Sequence, residues 1–189
     1  MKQIEKIKMD LKRSLSEYRY YHSLRVADEA KRLAKVYQID EEKAYIAGLV
    51  HDVAKEFDEE ENKIWIKRCN LSEDLLKEEF KKICHAEVGS VVAKGKYHLS
   101  DDICQAIKYH TVGNIEMTLL DKIVFVADKI ESGKDYPGIE EERIVAYQDI
   151  DESLLLCLEN QKKKVESQGK QFHVEALKLL EFLKNIRMN

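Results

Sequence analysis

Turn-forming residues are scarce in this chain, which has one proline and seven glycines among 189 residues. Neighbouring strands are usually joined by tight turns, and those turns depend mostly on glycine, proline and short polar side chains. Charged residues make up 36% of the chain, which suits helices with one apolar and one charged face. We therefore predict an all-α fold, and the length suits one domain with a sizeable hydrophobic core.

Apolar residues recur at helical spacing along most of the sequence. The spacing predicts helices over about 2–18, 22–37 and 41–56, another near 72–82, and further helices that carry CHAEVGSVV, ICQAIKYH and LLDKIVFVADKIE. Asp40 is a suitable N-cap for the third helix, which is apolar on nearly every side and is expected to be buried. Pro137 and Gly138 end this pattern, and charged helices with apolar stripes follow to about residue 187.

Charge and cysteine content narrow the function classes. The formal net charge of −4, with acids and bases interspersed, argues against a duplex-binding surface and favours a small substrate. We find no pattern of a signal peptide or membrane span, so no membrane partner is expected. The cysteines lie far apart without a C-x-x-C pair, which indicates reduced thiols in a cytoplasmic protein: Cys69, Cys84, Cys104 and Cys157.

Side chains that can bind metals lie on or next to the apolar faces of successive predicted helices. They are His22, His51, Asp52, His85, His110 and Asp128. A single inward-facing histidine is most often a core residue satisfied by one neighbouring acid. Four of the chain's six histidines share this placement, however, and inward His and Asp side chains on several helices are how helical bundles bind divalent ions.

The adjacent pair His51 and Asp52 sets a geometric condition on such a site. Neighbouring residues on a helix point about 100° apart. Both side chains can therefore reach one ion only if that ion lies over the helix edge between them.

Five segments resemble the HD-domain phosphohydrolases: YYHSLRVADEA, AGLVHDVAKEF, ICHAEVGS, IKYHTVGN and VFVADKIESGKDYPG. The order His22, His51-Asp52 and Asp128 is similar to the metal-binding pattern of that superfamily. His85 and His110 resemble the additional histidines of members with a two-metal or extended centre. The last segment, with ADKIE followed by YPG, resembles the YqeK family of symmetrical bis(5'-nucleosyl)-tetraphosphatases, which split diadenosine tetraphosphate into two ADP.

The resemblance implies a single helical HD-domain bundle over residues 1–189, with a metal centre in its core. The part that carries the ligands would span about 18–135, and helices over about 140–187 would complete the fold. His22, His51, Asp52 and Asp128 would bind a metal, while His85 and His110 would bind a second ion or hold phosphate oxygens. Asp52, His85 and His110 are the expected catalytic residues. Iron is the expected metal, with manganese, cobalt, zinc and magnesium as alternatives and one or two ions bound.

The chemistry of the residues agrees with this assignment. Hydrolysis of a phosphoanhydride needs a nucleophile at neutral pH, and a bound metal provides one by lowering the pKa of its water. A His and Asp site without thiolates is typical of a catalytic ion rather than a structural one. We therefore expect attack by a metal-bound hydroxide.

A site for a polyphosphate also needs positively charged side chains that offset the negative charge of the substrate. Arg25 and Lys55 lie one turn beyond His22 and Asp52, and Lys134 follows Asp128 where its helix ends. A lone cation in so charged a chain is more often a solvated surface residue. The YqeK family usually has arginine where this chain has Lys134, which puts bidentate phosphate binding there in doubt.

Two further residues are candidates for substrate binding. The hydroxyl of Thr111 is suited to donate to a phosphate, although a role at the helix end is an equal alternative. Phe172 is a candidate for stacking on a base, although packing at a helix start is the more ordinary role for such a residue.

Three functions remain in view at this point. The first is symmetrical cleavage of diadenosine tetraphosphate, with that dinucleotide and ADP as the small-molecule partners. The second is another HD-type activity on nucleoside mono- or triphosphates or cyclic dinucleotides, because the shared ligands do not separate these substrates. The third is a non-catalytic nucleotide-binding protein. The amphipathic end helices also allow packing either within the chain or across a homodimer.

Overall fold

The computed structural model of the chain describes residues 2–77 and 80–187, and for residues 81 and 82 the backbone only. It contains helices throughout these ranges and no strand within them, which confirms the all-α prediction. The helices are α1 Lys2–Ser14, α2 Glu17–Val36, α3 Glu41–Val50, α4 Glu59–Arg68, a short 3-10 helix Glu73–Leu76, α5 Lys81–Tyr97, α6 Asp101–Tyr109, α7 Leu119–Ile130, α8 Ile139–Ala146, α9 Ile150–Ser167 and α10 Val174–Arg187.

Side-chain caps decide where several helices begin. Asp40 accepts from the backbone N–H groups of Glu42 and Lys43, which confirms it as the N-cap of α3. Ser16 accepts from the N–H of Arg19 and starts α2 at Glu17. The prediction of one helix over 2–18 was therefore wrong, because this cap divides the segment into α1 and the first turn of α2.

Helix α3 is shorter than the apolar pattern predicted. It ends at Val50, and residues 51–56 form tight turns in which Val53 N–H donates to Val50 and Lys55 N–H donates to Asp52. The predicted helix over 41–56 was wrong in its second part. His51 and Asp52 consequently lie just beyond the end of α3. The turns there allow both side chains to point toward the same place.

The region after α3 also differs from the prediction. The charged stretch after it forms α4, which apolar spacing did not reveal because Ile66 is its only buried residue. The helix expected near 72–82 is limited to the 3-10 turn over 73–76, and α5 begins at Lys81. Residues 78 and 79 of that prediction lie outside the described residues.

Helices α2, α3 and α7 pack together around one buried apolar core. The backbones of α2 and α3 are in close contact at Gly48, where an added Cβ would lie 2.9 Å from the Cα of Ala27. Helix α6 packs between α5, α7 and α3, and α9 connects α7 with α8 and α10. The ends of α3 and α6 thereby meet α2, α5 and α7 inside the bundle. No helix in the described ranges is both long and apolar enough to cross a membrane.

Candidate metal centre

His22, His51 and Asp52 meet inside the bundle, and all three are buried. The Asp52 Oδ2 atom lies 3.8 Å from His22 Nε2 and 3.4 Å from His51 Nε2. Ligands about 2.0–2.2 Å from one ion lie roughly 3 Å or slightly more from one another. The three side chains thus have the spacing of a metal site.

Asp128 of α7 completes this first group. Its Oδ1 atom lies 3.0 Å from His22 Nε2 and 3.7 Å from His51 Nε2, and its side chain is 15% exposed. The four residues that the sequence predicted as ligands are therefore brought together from α2, the end of α3 and α7.

A second group shares Asp52 with the first. His85 Nε2 and His110 Nε2 lie 3.3 and 3.6 Å from Asp52 Oδ1, and 3.2 Å from each other. The two oxygens of Asp52 therefore face different groups, Oδ2 toward His22 and His51 and Oδ1 toward His85 and His110. This is the arrangement of a carboxylate that can bridge two ions.

Hydrogen bonds from the Nδ1 atoms of His51 and His110 turn the Nε2 atoms of these rings toward the centre. His51 Nδ1 donates to the carbonyl of Gly48 at 2.7 Å, and His110 Nδ1 donates to the carbonyl of Ile107 at 2.6 Å. A carbonyl only accepts, so the Nδ1 atom of each ring carries a proton and Nε2 is the nitrogen placed to bind a metal. The Nε2 atoms of His22 and His51 are buried without a hydrogen-bond partner, which an ion at this position would satisfy.

Protonation states in the centre also suit metal binding. Burial lowers the pKa of His85 well below its usual value, with His110 and Lys55 adding to the effect, so the imidazole of His85 is neutral. Burial opposes ionisation of Asp52, but His51 and His110 outweigh it and hold the pKa of Asp52 well below its usual value. Neutral imidazole beside carboxylate is the donor set of borderline divalent ions.

Three positively charged side chains lie around these residues. Lys55 lies 3.0 Å from His85 Nε2, Arg19 lies 2.6 Å from Asp52 Oδ2, and Lys129 lies 2.6 Å from Asp128 Oδ2. Lys55 was predicted, whereas Arg19 and Lys129 were missed. The available signal was position, since Arg19 precedes His22 by one helical turn and Lys129 directly follows Asp128.

Glu131 is the other functional residue that sequence reasoning missed. It is buried, accepts from His22 Nδ1 at 3.1 Å and from Arg25 Nε at 2.5 Å, and so orients the histidine. Burial raises its pKa, but His22 and Arg25 outweigh that effect and lower the pKa to about 2. Arg25 packs over Gly133, where an added Cβ would lie 2.5 Å from the guanidinium.

The remaining predicted residues lie at different distances from the ligands. Thr111 Oγ1 is 3.1 Å from His110 Nε2 and 3.3 Å from His85 Nε2, directly at the second group. Lys134 lies in the chain after α7. Burial and, to a smaller extent, the charge of Lys134 lower the pKa of His22, but Asp128 and Glu131 outweigh both and raise it. Phe172 is partly buried against the hydrophobic core before α10. None of these contacts tests a role in substrate binding.

The contact between Glu131 and His22 leads to a prediction. Glu131→Gln should lower metal affinity by roughly 10- to 100-fold, because the neutral amide no longer stabilises the His22 N–H or pairs with Arg25. Metal titration of the purified variant measures this loss. Glu29→Gln is the matched control, since Glu29 is also a buried carboxylate on an arginine but lies away from the centre. Equal affinity in the Glu131 variant and the wild type would contradict the role of Glu131.

Comparison with known proteins agrees with this geometry. The HD domain family matches residues 19–133, a range that contains all six residues of the two groups. The symmetrical bis(5'-nucleosyl)-tetraphosphatase of Staphylococcus aureus is 39% identical over 76% of this chain and 74% of its own, and that of Bacillus subtilis is 38% identical over 79% and 81%. A crystal structure of a predicted HD superfamily hydrolase involved in NAD metabolism, from Clostridium acetobutylicum, is 36% identical with a TM-score of 0.88 and covers 96% of this chain and 97% of its own. The chain therefore belongs to the HD-domain family and, within it, to the YqeK family of symmetrical bis(5'-nucleosyl)-tetraphosphatases.

Proposed function

We propose that this protein is a metal-dependent hydrolase that splits diadenosine tetraphosphate symmetrically into two ADP. The observation that carries the proposal is the pair of His and Asp groups joined by Asp52, in a chain whose relatives bear that activity in their names. Buried imidazoles whose Nε2 atoms face the centre, together with ionised carboxylates, form a complete donor set for divalent ions.

The proposed ligands of one ion are His22, His51, Asp52 and Asp128, and those of a second are Asp52, His85 and His110. When bound, such ions lower the pKa of a water molecule to near neutrality and polarise a phosphoryl oxygen. We propose iron as the metal, with manganese, cobalt, zinc and magnesium as alternatives. The absence of thiolates among these donors favours oxygen- and nitrogen-binding ions of this kind.

The reaction adds one water across the central phosphoanhydride. The attacked phosphorus gains the oxygen of that water, the bond to the bridging oxygen breaks, and this oxygen leaves as part of the second ADP. The protons of the water pass to the product phosphates or to solvent. The protein's part is to position the four phosphates and offset their charge. Lys55, Arg19 and Lys129 are the cations closest to the ligands, and Thr111 is placed to donate its hydroxyl to a phosphate oxygen.

Catalytic roles for Asp52, His85 and His110 follow from the same placement. Asp52 holds both groups together, while His85 and His110 face the side on which Lys55 and Thr111 lie. The earlier assignments of Arg25, Lys134 and Phe172 to substrate binding stay predictions. Arg25 has at least one further role, because its Nε atom holds Glu131.

We also propose that residues 1–189 form a single HD domain in the cytoplasm. One buried core that includes side chains from α1 to α10 supports the single domain. The four cysteines are all free thiols, as expected where the surroundings keep thiols reduced. Activity on other nucleotides and a non-catalytic role are not favoured, because the named relatives share one activity and every predicted ligand is present.

Metal analysis followed by a substrate assay tests the proposal. The protein is stripped of metal with a chelator, resupplied with iron, manganese or cobalt, and incubated with diadenosine tetraphosphate. Chromatography should show ADP as the sole nucleotide product of the resupplied protein and no turnover of the stripped protein. AMP plus ATP would refute symmetrical cleavage, and inactivity with every metal would refute the hydrolase assignment.

A further inference from the structure

Two cavities border the metal centre, one beside His85 and the other beside the lysine that pairs with Asp128. The first, here called the α4 pocket, has a volume of about 480 Å³ and is lined by residues that include Lys55, Phe57, Asn62, Leu75, Leu76 and His85. The second, here called the α9 pocket, has a volume of about 550 Å³ and is lined by residues that include Lys129, Lys134, Tyr136, Asn160, Gln161 and Lys164. Both volumes lie in the range of small-molecule sites.

Each pocket borders the centre through a lysine that contacts a proposed ligand. In the α4 pocket, Lys55 lies 3.0 Å from His85, and both residues line the cavity. In the α9 pocket, Lys129 pairs with Asp128 Oδ2 at 2.6 Å and donates to the carbonyl of His110 at 3.4 Å. A polyphosphate chain lying over the centre would therefore meet one lysine on its way into either pocket.

The two pockets also contain the same kinds of side chain beyond these lysines. Each has one aromatic ring, Phe57 in the α4 pocket and the 37% exposed Tyr136 in the α9 pocket. Stacking of a base needs only the face of such a ring. Each pocket also has one asparagine in its lining, Asn62 in the α4 pocket and Asn160 in the α9 pocket.

The amide nitrogen of each asparagine donates to another group of the protein. Asn62 Nδ2 donates to the carbonyls of Phe57 and Asp58 at 3.3 and 2.9 Å. Asn160 Nδ2 donates at 2.7 Å to the carboxylate of Glu142, which also accepts from the hydroxyl of Tyr136 at 2.7 Å. Carbonyls and carboxylates only accept, so these bonds fix which end of each amide is the nitrogen. Asn62 Oδ1 also accepts from the thiol of Cys84 at 3.7 Å, and an amide oxygen has a second lone pair for a further donor. Such an oxygen suits the exocyclic amino group of a base.

We propose that the α4 and α9 pockets each bind one of the two nucleosides of the substrate, so that the tetraphosphate lies across the metal centre with its midpoint at Asp52. A substrate with two identical ends needs two similar pockets on either side of the reacting bond, and symmetrical cleavage follows from that placement. The inference rests on the proposed function. It replaces Phe172 as the stacking residue with Phe57 and Tyr136, since Phe172 lines neither pocket.

A comparison of two substrates tests this proposal. Adenosine 5'-tetraphosphate has the four phosphates but only one nucleoside, so it needs one pocket. Phe57→Leu and Tyr136→Leu each remove one ring, and each should lower kcat/KM for diadenosine tetraphosphate about tenfold through loss of one stacking contact. Each single variant should lower kcat/KM for adenosine tetraphosphate twofold at most, because the intact pocket still binds it. The double variant should lose activity on both substrates.

Matched controls separate stacking from general damage. Tyr147→Leu is the control for Tyr136→Leu, since Tyr147 is also 37% exposed and also donates to a buried carboxylate, that of Glu29 at 2.7 Å, outside both pockets. Phe182→Leu is the control for Phe57→Leu, since Phe182 is an aromatic residue on α10 that lines neither pocket. Both controls should keep the wild-type ratio of the two kcat/KM values.

Binding of ADP provides a second readout that does not depend on turnover. Calorimetry should find two ADP bound per chain in the metal-loaded wild type and one in each single pocket variant. One ADP per chain in the wild type, or an unchanged substrate ratio in both single variants, would overturn the two-pocket proposal. Wild-type protein that fails to produce ADP from diadenosine tetraphosphate would instead refute the proposed function itself, so the two failures are distinguishable.

Discussion

Replacing Asp52 with alanine is expected to abolish hydrolysis of diadenosine tetraphosphate while the helical fold is retained. Asp52 is the residue common to both groups of proposed ligands, with one oxygen facing each group. Removing Asp52 should therefore lower activity by more than the roughly 10- to 100-fold seen for residues that only orient a ligand. Steady-state kinetics with metal-loaded protein, together with circular dichroism of the same sample, measures both parts of this result.

The control for this variant is Asp101→Ala. Asp101 is 84% exposed and forms an ion pair with Lys94 on the surface, so its removal should leave kcat/KM near the wild-type value. Metal content of the Asp52 variant should also fall, since both groups lose a donor. Full activity in the Asp52 variant would contradict the assignment of the centre, whatever its effect on stability.

Gly48→Ala is expected to have the largest effect on stability. A Cβ at this position would lie 2.9 Å from the Cα of Ala27 and 3.0 Å from the carbonyl oxygen of Val26, and backbone atoms cannot rotate away. The higher helix propensity of alanine offsets only about 1 kcal/mol of the cost of overpacking. We expect a net loss of about 2 kcal/mol, or roughly 4–8 °C in Tm for a chain of this size. Thermal unfolding followed by circular dichroism measures it.

The same substitution should also reduce activity. The carbonyl of Gly48 accepts from His51 Nδ1, so separating α3 from α2 shifts a proposed metal ligand. Gly89→Ala is the matched control, because a Cβ on this helical glycine would find its nearest neighbour, a side-chain atom of Ile107, at 3.4 Å, which is an ordinary van der Waals distance. That variant should match or slightly exceed the wild-type stability. A Gly48 variant as stable as the Gly89 variant would show that α2 and α3 are not held this closely.

The helical pattern and the chemistry of the centre were predictable from the sequence because both depend on residue type and order. Apolar spacing identified the inward faces that carry His22, His85 and His110, and all three are buried. The apolar pattern predicted helix bounds wrongly where local hydrogen bonds ended or started a helix. The Ser16 cap divided the first predicted helix, and α3 gave way to tight turns after Val50.

Residues whose role depends on contact with a residue far along the chain could not be identified from local sequence patterns. Glu131 orients His22 from 109 residues away, and Asn160 is fixed by Glu142 from the neighbouring helix. Glutamates and asparagines are common surface residues, and their type alone does not distinguish a buried orienting group from a solvated one. Phe172 was chosen by residue type, whereas Phe57 and Tyr136 are distinguished by lining cavities beside the centre.

By itself, the sequence predicted the fold class from the scarcity of turn-forming residues and from helical apolar spacing. The resemblance of five segments to HD-domain proteins indicated the family, and the order of His22, His51-Asp52, His85, His110 and Asp128 predicted a metal site. Each of these depends on residue type and spacing along the chain. Only the tertiary structure decided that the two oxygens of Asp52 face different histidine pairs, that Arg19, Lys129 and Glu131 lie around these side chains, and that two cavities border the centre. These features depend on the directions in which side chains from α2, α3, α5, α6 and α7 converge. Such directions are set by helix packing and by the place where α3 ends, which no local pattern of residues specifies.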